Sequence, residues 1–174
     1  YVKQCGYEDI LIPQYDVVNS VKELDFSKYN EEVVAKCTHN SGGHVFYDPA
    51  KPLNPKEMKA AKKRLKFILK HNASVLSHEW NYKNIPPKIV VEKVIRNKKE
   101  ELPMDYKFMC FHGEPKLLFL DIGLINEDHS YNHGYPRNIY DMEFNLLPVH
   151  ETRPNADYPV EKPENFDQMI DIAR

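Results

Sequence analysis

The chain of 174 residues carries 24 Lys and Arg against 26 Asp and Glu, with 41% hydrophobic and 11% aromatic residues, 13 prolines and 6 glycines. That length suits one domain with a sizeable core, and the mixture excludes general disorder and the collagen-like or low-complexity classes. No run approaches the ~20 apolar residues of a membrane span, and a net charge of −2 argues against nucleic acid as the main partner.

Cys5, Cys37 and Cys110 form no CxxC pair, and three is an odd count, so a reducing, cytoplasmic setting is expected. Tyr1 to Gly6 lack the basic and apolar regions of a secretory signal. Tyr1 is not an initiator Met, so the chain reads as a processed or excised piece.

In chain order, Leu11 to Glu32 reads as a short strand, a loop and a brief helical turn. Val33 to Thr38 is short and β-branched, His39 to His44 is a glycine loop, and Val45-Phe46-Tyr47 resumes the strand pattern, which predicts a hairpin. Asn54-Pro55-Lys56-Glu57 is a helix start with a capping box. Met58, Ala61, Leu65, Ile68 and Leu69 then share one face to about His71, with Asn72 as the stop. The other face holds Lys56, Lys59, Lys62, Lys63, Arg64, Lys66 and Lys70 against the single Glu57. It is either a solvated surface or a docking face for an anionic polymer or membrane headgroup.

Ser77 to Pro87, with the only Trp, reads as an ordered loop, and Lys88 to Ile95 as a buried strand. Tyr106 to Phe111 and Lys116 to Ile122 form a second hairpin turning at His112 to Pro115. Asn126 to Arg137 is turn-rich, Asn138 to Val149 is mixed and aromatic, and Pro163 to Arg174 opens a helix.

Lys36 beside Ser41-Gly42-Gly43 has the chemistry of a phosphate cradle, because small residues let amides converge on an anion that a nearby cation neutralises. The P-loop spacing is absent, and a plain two-glycine hairpin turn explains the residues equally. Val91 to Ile95 could edge a purine slot, Glu100 or Glu101 could contact a ribose, and Lys36 and Lys107 could supply charge. Glu92 and Lys107 are also ordinary surface positions on strands. His39 and His44 flank the loop, and His129 and His133 are four apart, but no third or fourth ligand at zinc spacing accompanies them. No Gly-x-Ser-x-Gly elbow supports serine hydrolysis.

The ordered segments resemble the TupA-like ATP-grasp family of bacterial polysaccharide biosynthesis. They are Val34 to Gly43, Glu79-Trp80-Asn81-Tyr82, Ile89 to Ile95, Asp105 to Gly113 and Tyr140 to Asn145, spread over nearly the whole chain. The resemblance implies an α+β, ATP-grasp-like architecture: an antiparallel hairpin subdomain over about residues 1–92 and part of a second antiparallel sheet over about 93–174. It implies an ATP-dependent carboxylate–amine ligase that forms an amide through an acyl phosphate. The carboxylate would be a residue such as a uronic acid and the amine a group such as an amino acid. Lys36 and Lys107 would bind the ATP phosphates, and Ser41, Gly42 and Gly43 would close over them. Glu92, Lys93, Val94 and Ile95 would line adenine.

Asn40 departs from the pattern, where relatives carry another glycine, and would stiffen the loop. The carboxylates that hold Mg²⁺ in such enzymes are expected beyond Arg174, and a further lysine segment before Tyr1. The chain alone would then bind nucleotide weakly and not turn over. Two rival readings are a sugar-nucleotide-dependent glycosyltransferase and a non-catalytic module that binds acidic polymers through the basic helix 55–71.

Overall fold

A computed structural model describes residues 1–99 and 101–174, with Leu76 described by its backbone. The chain forms two compact units, Tyr1–Ile95 and Arg96–Arg174. Both are antiparallel sheets with a helix on one face, so the architecture is α+β as expected.

In the first unit, strands β1 (Gln14–Val18), β2 (Val33–Cys37), β3 (Val45–Tyr47) and β4 (Ile89–Lys93) form a sheet of order β1-β4-β2-β3 with every neighbour antiparallel. The period of two in β2 sends Val33, Ala35 and Cys37 into the core and leaves Val34 and Lys36 on the half-exposed face. The predicted β2–β3 hairpin is formed around the glycine loop.

Helix α1 (Pro55–Ile68) covers the core face, with Leu65 fully buried and Met58, Ala61, Ile68 and Leu69 packed beside it. Each fully buried large apolar side chain here stabilises by roughly 1.5–3 kcal/mol. Asn54 Oδ1 accepts from the Lys56 and Glu57 amides at 3.0 Å, and Glu57 Oε2 accepts from Asn54 N at 2.9 Å, completing the capping box. The helix ends at Ile68, one turn short of the expected limit, through 3-10-type bonds from Lys70 to Phe67 and from His71 to Ile68. Asn72 does not stop α1. It adopts extended dihedrals and caps the next short helix, α2 (Ala73–Leu76), by accepting from Ser74 N at 2.8 Å.

In the second unit, β5 (Asp105–Phe111), β6 (Glu114–Asp121) and β7 (Arg137–Tyr140) lie in that order. The β5–β6 turn is shorter than expected. His112 and Gly113, at φ 52° and 82°, make a two-residue connection, and Pro115 is already in β6 opposite Cys110, where the register shifts. Strand β7 lies across the boundary of two stretches read as irregular, because four residues are too few to show a period. Helix α3 (Phe166–Ala173) buries Phe166 completely, edge-on to Phe144, whose ring stacks on Tyr140 at 4.2 Å.

Candidate functional site

Lys36 pairs with Val90, and Val34 with Glu92, in the β2–β4 register. Lys36 and Glu92 are therefore diagonal neighbours on the face away from α1, within reach of long side chains. Lys36 Nζ lies 2.5 Å from Glu92 Oε2, with side-chain exposures of 44% and 16%. Glu92 Oε2 is buried and receives no directed hydrogen bond, so the contact is one of charge. Val34, Phe46 and Val90, all half-buried or buried, flank the pair with apolar surface.

The loop from Thr38 to His44 is tied at one root and open at its tip. Thr38 Oγ1 donates to Pro86 O at 2.7 Å and accepts from Lys88 N at 3.0 Å, while Asn40 Nδ2 donates to His71 O at 2.7 Å. Asn40 thus anchors the loop to the end of α1, which gives the predicted stiffening a physical basis. His39 is 2% exposed and its Nδ1 has no hydrogen bond. Ser41 and Gly42 are exposed, and Gly42 and Gly43 both have positive φ, 75° and 70°. A Cβ on Gly42 would meet nothing within 4 Å, whereas one on Gly43 would lie 1.9 Å from Ile68 Cδ1. Both glycines suit their left-handed backbone, and at Gly43 a side chain would also force Ile68 to shift.

At the end of β4, the Lys93 amide already donates to Pro13 O and the Val94 amide to Glu32 O. Neither N–H is available to complete a purine edge, and Val91 and Val94 are buried. The Ile95 N–H has no partner among the described residues, and its side chain is 46% exposed. Of the two ribose candidates, Glu101 is held by Asn97, whose Nδ2 donates to it at 3.0 Å, and Glu100 lies outside the described residues.

Lys107 belongs to the second unit, in a network that sequence reasoning did not identify. Asp105, Asp121 and Arg137 are directly opposite one another across β5, β6 and β7. Lys107 Nζ is 2.6 Å from Asp121 Oδ2 and 3.3 Å from Asp105 Oδ2. Arg137 grips Asp121 through Nε at 2.5 Å and a second nitrogen at 2.9 Å, and reaches Glu151 at 2.6 Å. Burial pushes the 1%-exposed Asp121 carboxyl up, but the hydrogen bonds from Arg137 and Lys107 outweigh it and hold it below the usual carboxylate range. Burial likewise pulls Lys107 down, and Asp121 and Asp105 override it, so the ammonium is held above the ordinary lysine range. A lone Asp ending the apolar run Leu117 to Leu120 was the available sequence signal.

Among the described residues no three His, Cys, Asp or Glu side chains converge as a metal site. No helix is long and apolar enough to cross a membrane among the described residues.

The lysine strand β2 and its partner β4 lie side by side on one antiparallel sheet, with the glycine loop joining β2 to β3. The chain belongs to the TupA-like ATP-grasp family, whose model matches residues 1–174, its whole length. Membership implies the use of ATP. No curated protein and no solved structure matches the chain.

Proposed function

We propose that the chain serves an ATP-dependent carboxylate–amine ligase of bacterial surface-polysaccharide synthesis, working in the cytoplasm. The carrying observation is the Lys36–Glu92 pair beside the glycine loop: a half-exposed cation on the open sheet face, next to a buried carboxylate oxygen without a directed bond.

These residues suit a nucleotide. Lys36 neutralises phosphate oxygen, and the amides of Ser41 and Gly42, at the exposed loop tip, converge on the same anion. Glu92 Oε2 accepts from an exocyclic amine, Ile95 N–H donates to the ring edge, and Val34 and Val90 provide the apolar slot wall. Lys93 and Val94 position this edge through their bonds to Pro13 and Glu32. Gly43 holds the loop against α1. Within the second unit, Lys107 is a candidate phosphate cation in its own right, fixed by Asp121 and Asp105. When bound, ATP supplies the phosphoryl group that turns a carboxylate into an acyl phosphate open to amine attack. Phosphoryl transfer of this kind needs positioning and neutralised charge rather than a side-chain nucleophile. Among the described residues no cluster would hold Mg²⁺.

Calorimetric titration with ATP and Mg²⁺, on this chain and on Lys36→Ala, tests the reading. Binding by the parent chain that weakens in the variant supports it. Thermal stabilisation by sugar nucleotides and not by ATP would transfer the site to glycosyl transfer.

A further inference from the structure

Helix α1 carries a charge pattern that the nucleotide site does not use. Lys56, Lys59, Lys63 and Lys66 advance by three, four and three residues, and Lys70 follows in the turn that ends the helix. Such spacing aligns side chains in one row along a helix. All five are exposed, and none has an ion-pair partner among the described residues. The core stripe of Met58, Ala61, Leu65 and Ile68 faces the sheet, so the row is on the solvent side.

The only acidic residue, Glu57, is committed to the capping box, and Lys62 is turned aside to donate to Leu24 O at 2.9 Å. Residues 55–71 hold seven basic side chains and one acidic one, which leaves 17 basic and 25 acidic elsewhere in the chain. Like charges at this spacing weaken a helix. The row therefore opposes the stability of the element that carries it.

We propose that this row docks a linear polysaccharide bearing regularly spaced carboxylates. Successive lysines are separated by about 4.5–6 Å of helix axis, at 1.5 Å per residue, comparable to one pyranose unit of an extended chain. Phe67, 61% exposed and, by helical spacing, beside Lys63 and Lys70, lies tilted against His71 at 4.1 Å and offers a flat apolar ring against which a sugar face can rest. A membrane surface fits less well, because the apolar stripe that an interfacial helix would insert is already buried on the sheet. Nucleic acid fits less well too, because the rest of the chain is acidic. The partner's carboxylates rest on the ligase reading above; the row itself does not.

The test measures binding of this chain to polygalacturonate, with fully methyl-esterified pectin and dextran as uncharged controls. Vesicles of one part phosphatidylglycerol to three of phosphatidylcholine, and duplex DNA, are the competing probes. Polygalacturonate should bind alone among them, weakening as salt rises. The variant K59E/K63E/K66E should lose about tenfold or more of that affinity, roughly one multiple of 1.4 kcal/mol. A charge-matched control, K22E/K51E/K116E, should lose little, and circular dichroism should show both variants folded.

Equal loss in both variants, or binding to vesicles or DNA as tight as to polygalacturonate, overturns the proposal. So does failure to bind polygalacturonate while ATP still binds, which leaves the ligase reading standing. Polygalacturonate binding that survives in a chain with no ATP affinity supports the docking row and overturns the ligase reading instead.

Discussion

Lys36 and Glu92 meet across β2 and β4 with 2.5 Å between Nζ and Oε2, on the sheet face that α1 leaves open. The pair joins the cation expected to hold phosphate and the carboxylate expected to read the base. A bound triphosphate would compete with Glu92 for the same ammonium.

Lys36→Met should affect both stability and function at this pair. It removes a half-exposed ammonium but strands the buried Glu92 Oε2 without its cation, at a cost of about 1–3 kcal/mol. The urea midpoint should fall accordingly, and ATP affinity should fall about tenfold, as losing a charged contact worth about 1.4 kcal/mol or more requires. Calorimetry and urea titration on the same preparation read both.

The two loop glycines should respond unequally to alanine. Gly42→Ala meets only the left-handed backbone cost of about 1–2 kcal/mol. Gly43→Ala adds to that a Cβ 1.9 Å from Ile68 Cδ1 and should cost about 1–3 kcal/mol more. Ile68→Val removes the Cδ1 atom, so the double variant G43A/I68V should be less destabilised than the two single changes added together. Equilibrium unfolding of the four chains completes the cycle.

Acid should weaken the second unit through Asp121. A carboxyl with a folded pKa below its unfolded value stabilises fully above the unfolded value, near ~3.9, and loses that contribution as pH falls through the folded value. The protection factors of β6 amides, taken against the intrinsic rate at each pH, should therefore fall below about pH 4. Asp121→Asn should raise exchange at pH 7, at a cost of up to about 3 kcal/mol, and remove the acid dependence. Lys107 titrates in the opposite sense: its folded pKa is raised, so its contribution is full below the lysine range and lost only as pH rises through the folded value.

Thiol reactivity should divide the three cysteines. Burial pushes the Cys37 thiol up to about 11, while Cys5 and Cys110 are exposed. With a disulfide reagent at pH 8, two thiols should react promptly in the native protein and the third only on unfolding. Prompt reaction of all three would show that the core face of β2 is open to solvent.

Local chemistry made several elements legible. Asn54, Pro55 and Glu57 specify the start of α1 by themselves, because a capping box is complete within four residues. The alternation of Val33 to Cys37 identifies both the strand and its buried face. Where local signals were thin, the reading missed: β7 has four residues, and Asn72 has the same composition cue for ending one helix as for starting another.

Composition excluded disorder and low-complexity classes, and the order of the motifs pointed to the family and with it to an α+β architecture. The amino-acid order also determined the row of lysines, since helical spacing needs no tertiary partner. Pairings between distant residues were decided only by the fold. Lys36 finds Glu92 through strand register, Gly43 packs against Ile68, and Asp121 gathers Arg137 and Lys107 because three strands align in one order. Register is set by burial of whole faces, so it decides which charges meet without leaving a local trace in the residues that carry them.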